Sequence, residues 1–215
     1  MTTRSIILHA HEIRAAMAGT LGLIVRPVKP QPSNGLKWNA VVLNGYGGWT
    51  DEHGKPFPCP LGVPGGRLVG KEKYARDGRA IWYAADCDKG PTRDVCEYPD
   101  GSPLESAWRS PATMPAWASR VTLEVQGVRC VRPAELAEDD ARQCGLPPNW
   151  CGDLSGWSAD DHGFLPANWD RKMEDDYGFW SAKESLESHW TAKYGPRYPW
   201  ETSWAWAVEV RRMEG

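Results

Sequence analysis

With 215 residues, 41% of them hydrophobic and 25% charged, the chain has the size and composition of one globular domain with insertions, and we predict a single domain over residues 1–215. Its formal net charge of −3 argues against sequence-independent binding of long duplex DNA, which needs a broad basic face, but is compatible with a local basic pocket for one nucleotide. No apolar run is long enough to span a bilayer or to form the core of a secretory signal, so we expect a cytoplasmic protein without a membrane partner.

The first third of the chain predicts two strands, a helix and a long loop. Residues 5–9 are an apolar strand, and residues 11–18 have apolar side chains at helical spacing before a glycine that ends the helix. Residues 21–28 are apolar and β-branched and predict a second strand. Residues 33–66 are rich in Gly and Pro and predict a loop insertion, either a flap over a site or a surface segment.

The middle of the chain predicts a hairpin, a strand and a helix. Residues 67–69 and 81–83 are predicted to pair through an Asp-Gly turn at 77–78. Residues 120–131 alternate between apolar and polar side chains, which is typical of a half-buried strand. A helix is predicted from Pro133 to about residue 143 because proline is favoured in the first turn.

The last third predicts an insertion, a helix and a closing strand. Residues 145–177 are polar and loop-rich, residues 179–194 have an apolar stripe, and residues 204–210 alternate. Strict βαβ repetition is absent, so a doubly wound sheet is not expected. We predict an α+β fold: a small mixed β-barrel with flanking helices and the two loop insertions.

Cysteine and tryptophan are the unusual residue types of this composition. The six cysteines lack paired C-x-x-C spacing, so we predict free thiols and no metal site, with a mixed site of Cys144, Cys151 and His162 as the alternative. Burial in the core is the usual fate of tryptophan, and stacking on a flat ligand is the functional alternative for some of the thirteen.

Five segments share a pattern with one known family, in the same order along most of the chain. They are the strand and helix at 6–19, VKPQP at 28–32, CPLGVPGGRL at 59–68, MPAWASRVTLEV at 114–125 and WAWAVEV at 204–210. These segments resemble the ASCH family of PUA-like proteins, in particular its phage and prophage members. The resemblance implies a PUA-like β-barrel with a cleft beside the first helix, binding of RNA or modified nucleobases, and no cofactor.

Some small ASCH proteins remove the acetyl group of N4-acetylcytidine, and the resemblance locates their catalytic positions here. Their lysine and threonine lie in a G-x-K-T-x-T-x-R motif, which reads GTLGLIVR in this chain, so Leu21 and Ile24 replace them. Cys144 falls at the position of the catalytic glutamate. Leucine and isoleucine neither transfer protons nor act as nucleophiles, which predicts a cleft that binds without hydrolysing. If the chain is an enzyme, a hydrolase of a modified nucleoside or a nuclease, Cys144 or Glu72 would be the recruited group.

Ligand binding is predicted from cationic and aromatic side chains. Arg26 ends an apolar strand, where its guanidinium either forks onto a phosphate or base edge or forms an ion pair. Trp117 and Arg120 either sandwich a base or stack on each other. The predicted ligand-binding residues are Arg26, Arg67, Lys71, Glu72, Trp117 and Arg120.

Three hypotheses about partners follow. The first is a nucleobase, a nucleotide or a single-stranded or modified nucleic acid bound without turnover, and the second is the enzyme. The third is a phage accessory or morphogenesis protein that acts through a protein partner.

Arg67 and Lys71 share a strand face that either suits an anion or is simply solvated. His9 and His11 are interpreted as structural.

Overall fold

The computed structural model describes residues 2–39, 48–76, 81–86, 108–146 and 181–213. The strands are β1 (Thr3–Ile7), β2 (Leu23–Pro27), β3 (Lys37–Asn39), β4 (Gly48–Thr50), β5 (Arg67–Lys71), β6 (Tyr74–Arg76), β7 (Ile81–Tyr83), β8 (Thr122–Val131) and β9 (Ala205–Arg212). The helices are α1 (Ala10–Ala18), α2 (Glu138–Arg142) and α3 (Ala182–Tyr194). The predicted combination of strands and helices in one mixed fold is confirmed at the level of a mixed five-stranded sheet with few helices.

Five strands form one sheet in the order β1-β5-β8-β9-β2. β1 runs parallel to β5, and every other neighbouring pair is antiparallel. β1 and β2 are the edges, and no strand pairing joins them in the described part of the chain, so hydrogen-bonded strands do not close a barrel there. One side chain spans the gap: Arg26 of β2 donates from Nη2 to the carbonyl oxygen of Ile7 in β1 at 3.2 Å.

Two hairpins lie outside this sheet, β3–β4 and β6–β7. The prediction that residues 67–69 pair with 81–83 is wrong, because β5 pairs with β1 and β8 and β7 pairs with β6. The reason is burial: Leu68 and Gly70 face the core, which only a place inside the main sheet provides. The Asp-Gly turn at 77–78 lies outside the described residues.

Both faces of β9 are buried, although its alternation predicted one buried face. Trp206, Val208 and Val210 pack in the core beneath α1. Ala205 and Ala207 point the other way, into a second core formed with α2 and α3. Small side chains on that face let the helices approach the sheet closely.

The helices follow local capping signals where these are strong. α1 ends as predicted at Gly19, which has a φ of 76°. α3 begins after Ser181, whose hydroxyl accepts a hydrogen bond from the backbone of Glu184 at 3.2 Å, and the predicted start at 179 lies outside the described residues. The prediction of one continuous helix from Pro133 to about residue 143 is wrong. Leu136 has an extended backbone and a buried side chain, and it separates a 3-10 turn at Pro133–Glu135 from α2. None of the described helices has the length and apolar character needed to cross a membrane.

Candidate ligand-binding cleft

A cleft of about 480 Å³ lies where β1 runs into α1. Residues 7–10 form one wall, and Lys193 of α3 lies beside them. The remaining lining residues come from the strands and turns around the β6–β7 hairpin, namely Glu72, Lys73, Ala84, Ala85 and Pro111. The volume falls within the range of roughly 300–1,000 Å³ that is typical of small-molecule sites. Two ammonium groups, a carboxylate and an imidazole beside apolar surface suit an anionic ligand with a flat part.

Glu72 is the predicted site residue that lines this cleft, and Arg120 holds it in place. Arg120 donates from Nε and Nη2 to the two carboxylate oxygens of Glu72 at 2.8 and 3.0 Å, and from Nη1 to Asp86 at 2.7 Å. Its guanidinium also lies 4.2 Å from the ring centroid of Tyr83. Burial raises the pKa of Glu72, while the hydrogen bonds from Arg120 lower it in part. Arg120 therefore acts on the cleft by orienting Glu72.

Arg26 lies behind the cleft in a second bidentate ion pair. Its two Nη atoms donate to the carboxylate of Glu12 at 2.7 and 2.6 Å, and Nη1 also donates to the carbonyl of Val25. Glu12 in turn accepts from the backbone N–H of His9 at 2.8 Å, which caps α1. Burial alone would raise the pKa of Glu12, but the Arg26 guanidinium outweighs it and holds that pKa below its usual range. These contacts make Arg26 the tie between β1, α1 and β2.

Three histidines, from α1 and its N-cap and from α3, surround this ion pair. The ring centroids of His9 and His11 lie 5.7 Å apart. The ring centroid of His189 lies 5.5 Å from that of His9 and 4.8 Å from that of His11. Burial lowers the pKa of His9 and of His11 to about 3, and that of His189 well below its usual value, so all three rings are neutral at neutral pH. Across the described ranges, no group of three or more His, Cys, Asp or Glu is arranged to hold a metal ion.

The positions that the resemblance links to catalysis are apolar or inert. Leu21 and Ile24 are buried in the core. Cys144 is buried, its Sγ donates to the carbonyl of Asp140 at 3.5 Å, and burial raises the pKa of its thiol, so no thiolate is available at neutral pH. Cys151 and His162, the other members of the alternative metal site, lie outside the described residues.

The remaining predicted ligand residues, Arg67, Lys71 and Trp117, are not among those that line the cleft. Arg67 and Lys71 share the half-exposed face of β5, as their alternation predicts, with Arg67 opposite Glu124 in register and Lys71 donating to a loop carbonyl at 3.5 Å. Trp117 is 67% exposed and lies beside Arg76, whose guanidinium carbon is 5.6 Å from the ring centroid. The predicted alternative in which Trp117 and Arg120 stack on each other is not the arrangement found, because Arg120 lies over the ring of Tyr83 instead.

Several cleft residues were missed by sequence reasoning. Lys193 is the penultimate residue of α3, and Lys73 lies between two strands, so neither position has a local pattern that marks it. His9 was assigned a structural role although its side chain lines the cleft. The sequence did contain one signal near the cleft. Glu12 lies three residues after His9, the N-cap of α1, and a glutamate at this capping-box position is expected to turn its carboxylate back toward the β1–α1 junction.

Comparison with protein-family models, with curated proteins and with solved structures found no match to this chain.

Proposed function

We propose that this chain is a PUA-like protein of the ASCH type that binds a nucleotide, free or as one unit of a single strand, in the cleft beside α1. The observation that supports this most directly is the lining of the cleft, where Lys73 and Lys193 accompany the buried carboxylate of Glu72 and a neutral His9. A nucleotide presents a phosphate, polar base edges and a flat apolar ring, and this lining offers a counterpart to each.

The chemistry of the lining supports a phosphate-bearing ligand over a neutral one. Lysine binds phosphate as a point charge, and two lysines on one cleft make it attractive to anions in a protein with an overall negative charge. Glu72 can accept hydrogen bonds from a base amino group, because each carboxylate oxygen has a lone pair beyond the one that Arg120 occupies. Ala84 and Ala85 supply apolar surface for the ring.

The path of the edge strands supports the PUA-like architecture. The open side of the sheet lies between β1 and β2, and Arg26 spans it with hydrogen bonds to Ile7 and Glu12. In this proposal the ion pair takes the place of strand pairing at the seam of a small barrel. The cleft then lies at that seam, beside the first helix.

Binding without turnover is the preferred form of the proposal. Leu21 and Ile24 offer no acid, base or nucleophile, and the Cys144 thiol is protonated and buried. A second candidate, a hydrolase of a modified nucleoside, has one observation in its favour: Glu72 lines the cleft and its pKa is raised by burial, as suits a general acid or base.

A thermal-shift and calorimetric comparison of nucleoside monophosphates with the corresponding nucleosides tests the proposal. A ligand at a hundred times its Kd should add about 2.7 kcal/mol to the free energy of unfolding. We expect nucleotides to bind more tightly than nucleosides, and Lys193→Ala to remove most of that difference. Lys55→Ala, at an exposed lysine outside the cleft lining, is the matched control and should leave binding unchanged.

Absence of a shift with every nucleotide would contradict the proposal. Chromatography of each bound ligand after incubation separates the two candidates, because a binding protein returns it intact. Consumption of an acylated nucleoside that stops in Glu72→Gln would establish the hydrolase instead.

A further inference from the structure

His9 connects the cleft to the buried group of three histidines. It lines the cleft at the N-cap of α1, and its ring stacks on that of His11 with the centroids 5.7 Å apart. The ring of His189 lies edge-on to both, at 5.5 Å from His9 and 4.8 Å from His11. His11 and His189 are buried, so the three rings form one group that extends from the cleft into the interior between α1 and α3.

The charged groups that act most strongly on these rings, within the described part of the chain, are one carboxylate and three cations. The carboxylate is that of Glu12, and both Nη atoms of Arg26 already donate to it. The cations are Arg26 of β2, Arg14 of α1 and Lys193 of α3. The neighbouring titratable groups are Cys144 and Tyr194, which act on Arg26, and Glu72 and Lys73, which line the cleft with His9.

His9 is the ring of this group that a bound anion would affect first. Burial is the main reason that its pKa lies at about 3, and the cations add to this effect while Glu12 opposes it. An opposite charge within roughly 4–6 Å favours the charged form of a titrating group. An anion held in the cleft beside Lys193 and His9 therefore supplies negative charge that Glu12, paired with Arg26, supplies only in part.

We propose that binding of an anion in the cleft is coupled to protonation of His9, so that the site takes up one proton from solvent with its ligand and binds more tightly as the pH falls. This inference rests on the anionic ligand of the proposed function and is independent of the base. The lysines of the lining cannot supply such a dependence, because lysine stays charged throughout the neutral and mildly acidic range. Affinity rises toward acid because the bound state then binds more protons than the free state.

Glu72 is the competing proton acceptor. It lines the same cleft, and burial raises its pKa while the hydrogen bonds from Arg120 oppose this. A test of the coupling must therefore distinguish a proton on His9 from a proton on Glu72.

Isothermal titration calorimetry with sulfate, in buffers of different ionisation enthalpy, tests the coupling because it counts the protons taken up per bound ion. Sulfate keeps its charge between about pH 5.5 and about pH 7.5, whereas a phosphate monoester itself titrates near pH 6. We expect proton uptake by the wild-type protein, and an affinity for sulfate about ten-fold higher at the lower pH than at the higher. The wild-type measurement decides whether a proton is taken up even if a variant fails to fold.

Three variants assign the proton. His9→Asn removes the imidazole and places a residue that is favoured at an N-cap before α1, so it should fold and lose the proton uptake. Glu72→Gln should keep the uptake. His53→Ala, at an exposed position outside the group of His9, His11 and His189, is the matched control and should behave as wild type.

The outcomes separate this coupling from the proposed function. Sulfate binding without proton uptake, or no sulfate binding at all, overturns the coupling. Uptake that persists in His9→Asn, or that disappears in Glu72→Gln alone, assigns the proton to another group and also overturns it. Proton-coupled sulfate binding by a protein that binds no nucleotide supports the coupling and contradicts the proposed function.

Discussion

Two bidentate arginine–glutamate pairs lie on either side of the cleft wall, and they differ in what else each arginine contacts. Arg26 and Glu12 are enclosed between β1, α1 and β2, with the side chain of Glu12 4% exposed and three neutral histidines around it. Glu72 of the second pair lines the cleft, and its partner Arg120 also bonds to Asp86, whose side chain is 56% exposed. The two pairs are similarly buried, with side-chain exposures of 18% and 4% for Arg26 and Glu12 and of 20% and 3% for Arg120 and Glu72. They differ in the further contacts of each arginine, because Arg26 also donates to backbone carbonyls whereas Arg120 also donates to the exposed carboxylate of Asp86.

The difference in contacts indicates different roles for the two ion pairs. A largely buried ion pair that bonds only to the strands and the helix around it fixes how they meet, because removing either partner leaves a buried charge without compensation. A pair that shares its arginine with an exposed acid holds a carboxylate in place while leaving the arginine some freedom. We call Arg26 and Glu12 the inner pair and assign it to the fold, and we call Arg120 and Glu72 the outer pair and assign it to the site.

Acid should act on the histidines around the inner pair before it protonates Glu12, because Arg26 holds the pKa of that carboxyl below its usual range. The pKa of His9 and of His11 is near 3 in the fold, against about 6.5 in an unfolded chain, so between these values the unfolded state binds protons that the folded state does not. Stability is therefore fully present above about pH 6.5 and falls as the pH drops toward 3, by up to about 1.4 kcal/mol per pH unit for each histidine. Urea unfolding at a series of pH values measures this slope.

A variant checks that the slope comes from the cluster. His11→Phe should reduce the dependence of the unfolding free energy on pH by about the contribution of one histidine. His53→Ala, at an exposed position outside the group of His9, His11 and His189, should leave that dependence unchanged. An identical profile in wild type and His11→Phe would show that the histidines do not cause the loss.

Glu12→Ala is expected to be the most damaging single substitution at either ion pair. It leaves the Arg26 guanidinium buried without its carboxylate and removes the acceptor that caps α1, which should lower the free energy of unfolding by about 3–5 kcal/mol. Denaturant unfolding gives the value, and Asp139→Ala, at an exposed pair with Arg142, is the control with little effect. A loss below about 1 kcal/mol would remove the distinction between the inner and outer pairs.

Compared with Glu12→Ala, Glu72→Gln should lower the free energy of unfolding less and weaken ligand binding in the cleft more. Arg120 keeps Asp86 and the Tyr83 ring as partners, so we expect a loss of about 1–3 kcal/mol in unfolding free energy. Calorimetric titration with a nucleoside monophosphate should show weaker binding. A variant that binds as tightly as wild type would show that Glu72 lines the cleft without contacting the ligand.

The parts of the fold that local patterns specify were predicted from the sequence. The alternation of Val121, Leu123 and Val125 placed all three in the core, and the apolar stripe of α3 placed Leu186 and Trp190 against the sheet. These patterns are sufficient because the period of the side chains is set by the strand or helix itself. The partners of β5 were not predicted, since pairing depends on which distant strands complete the core.

The site was harder to predict because tertiary contacts assemble it. His9 and His11 meet His189 from the far end of the chain, and no local pattern links them. An ion pair was one of the two alternatives for Arg26, but nothing in the sequence marked Glu12 as its partner, and only their mutual contact explains their burial. Glu72 was predicted as a site residue and does line the cleft, although nothing in the sequence indicated that Arg120 would orient it.

The smallest expected effect is that of Asp86→Asn, and it tests whether the outer pair is as open as the geometry indicates. Asp86 is the exposed partner of Arg120, so its charge should contribute less than about 1 kcal/mol to stability, and this contribution should vanish at high salt. Without the Asp86 charge the surroundings of the cleft become more positive, so nucleotide affinity should rise slightly at low salt. Parallel measurements of unfolding and of nucleotide binding at two salt concentrations check both effects. A stability loss as large as that of Glu12→Ala would mean that Arg120 depends on Asp86 as Arg26 depends on Glu12, and the outer pair would then belong to the fold as well.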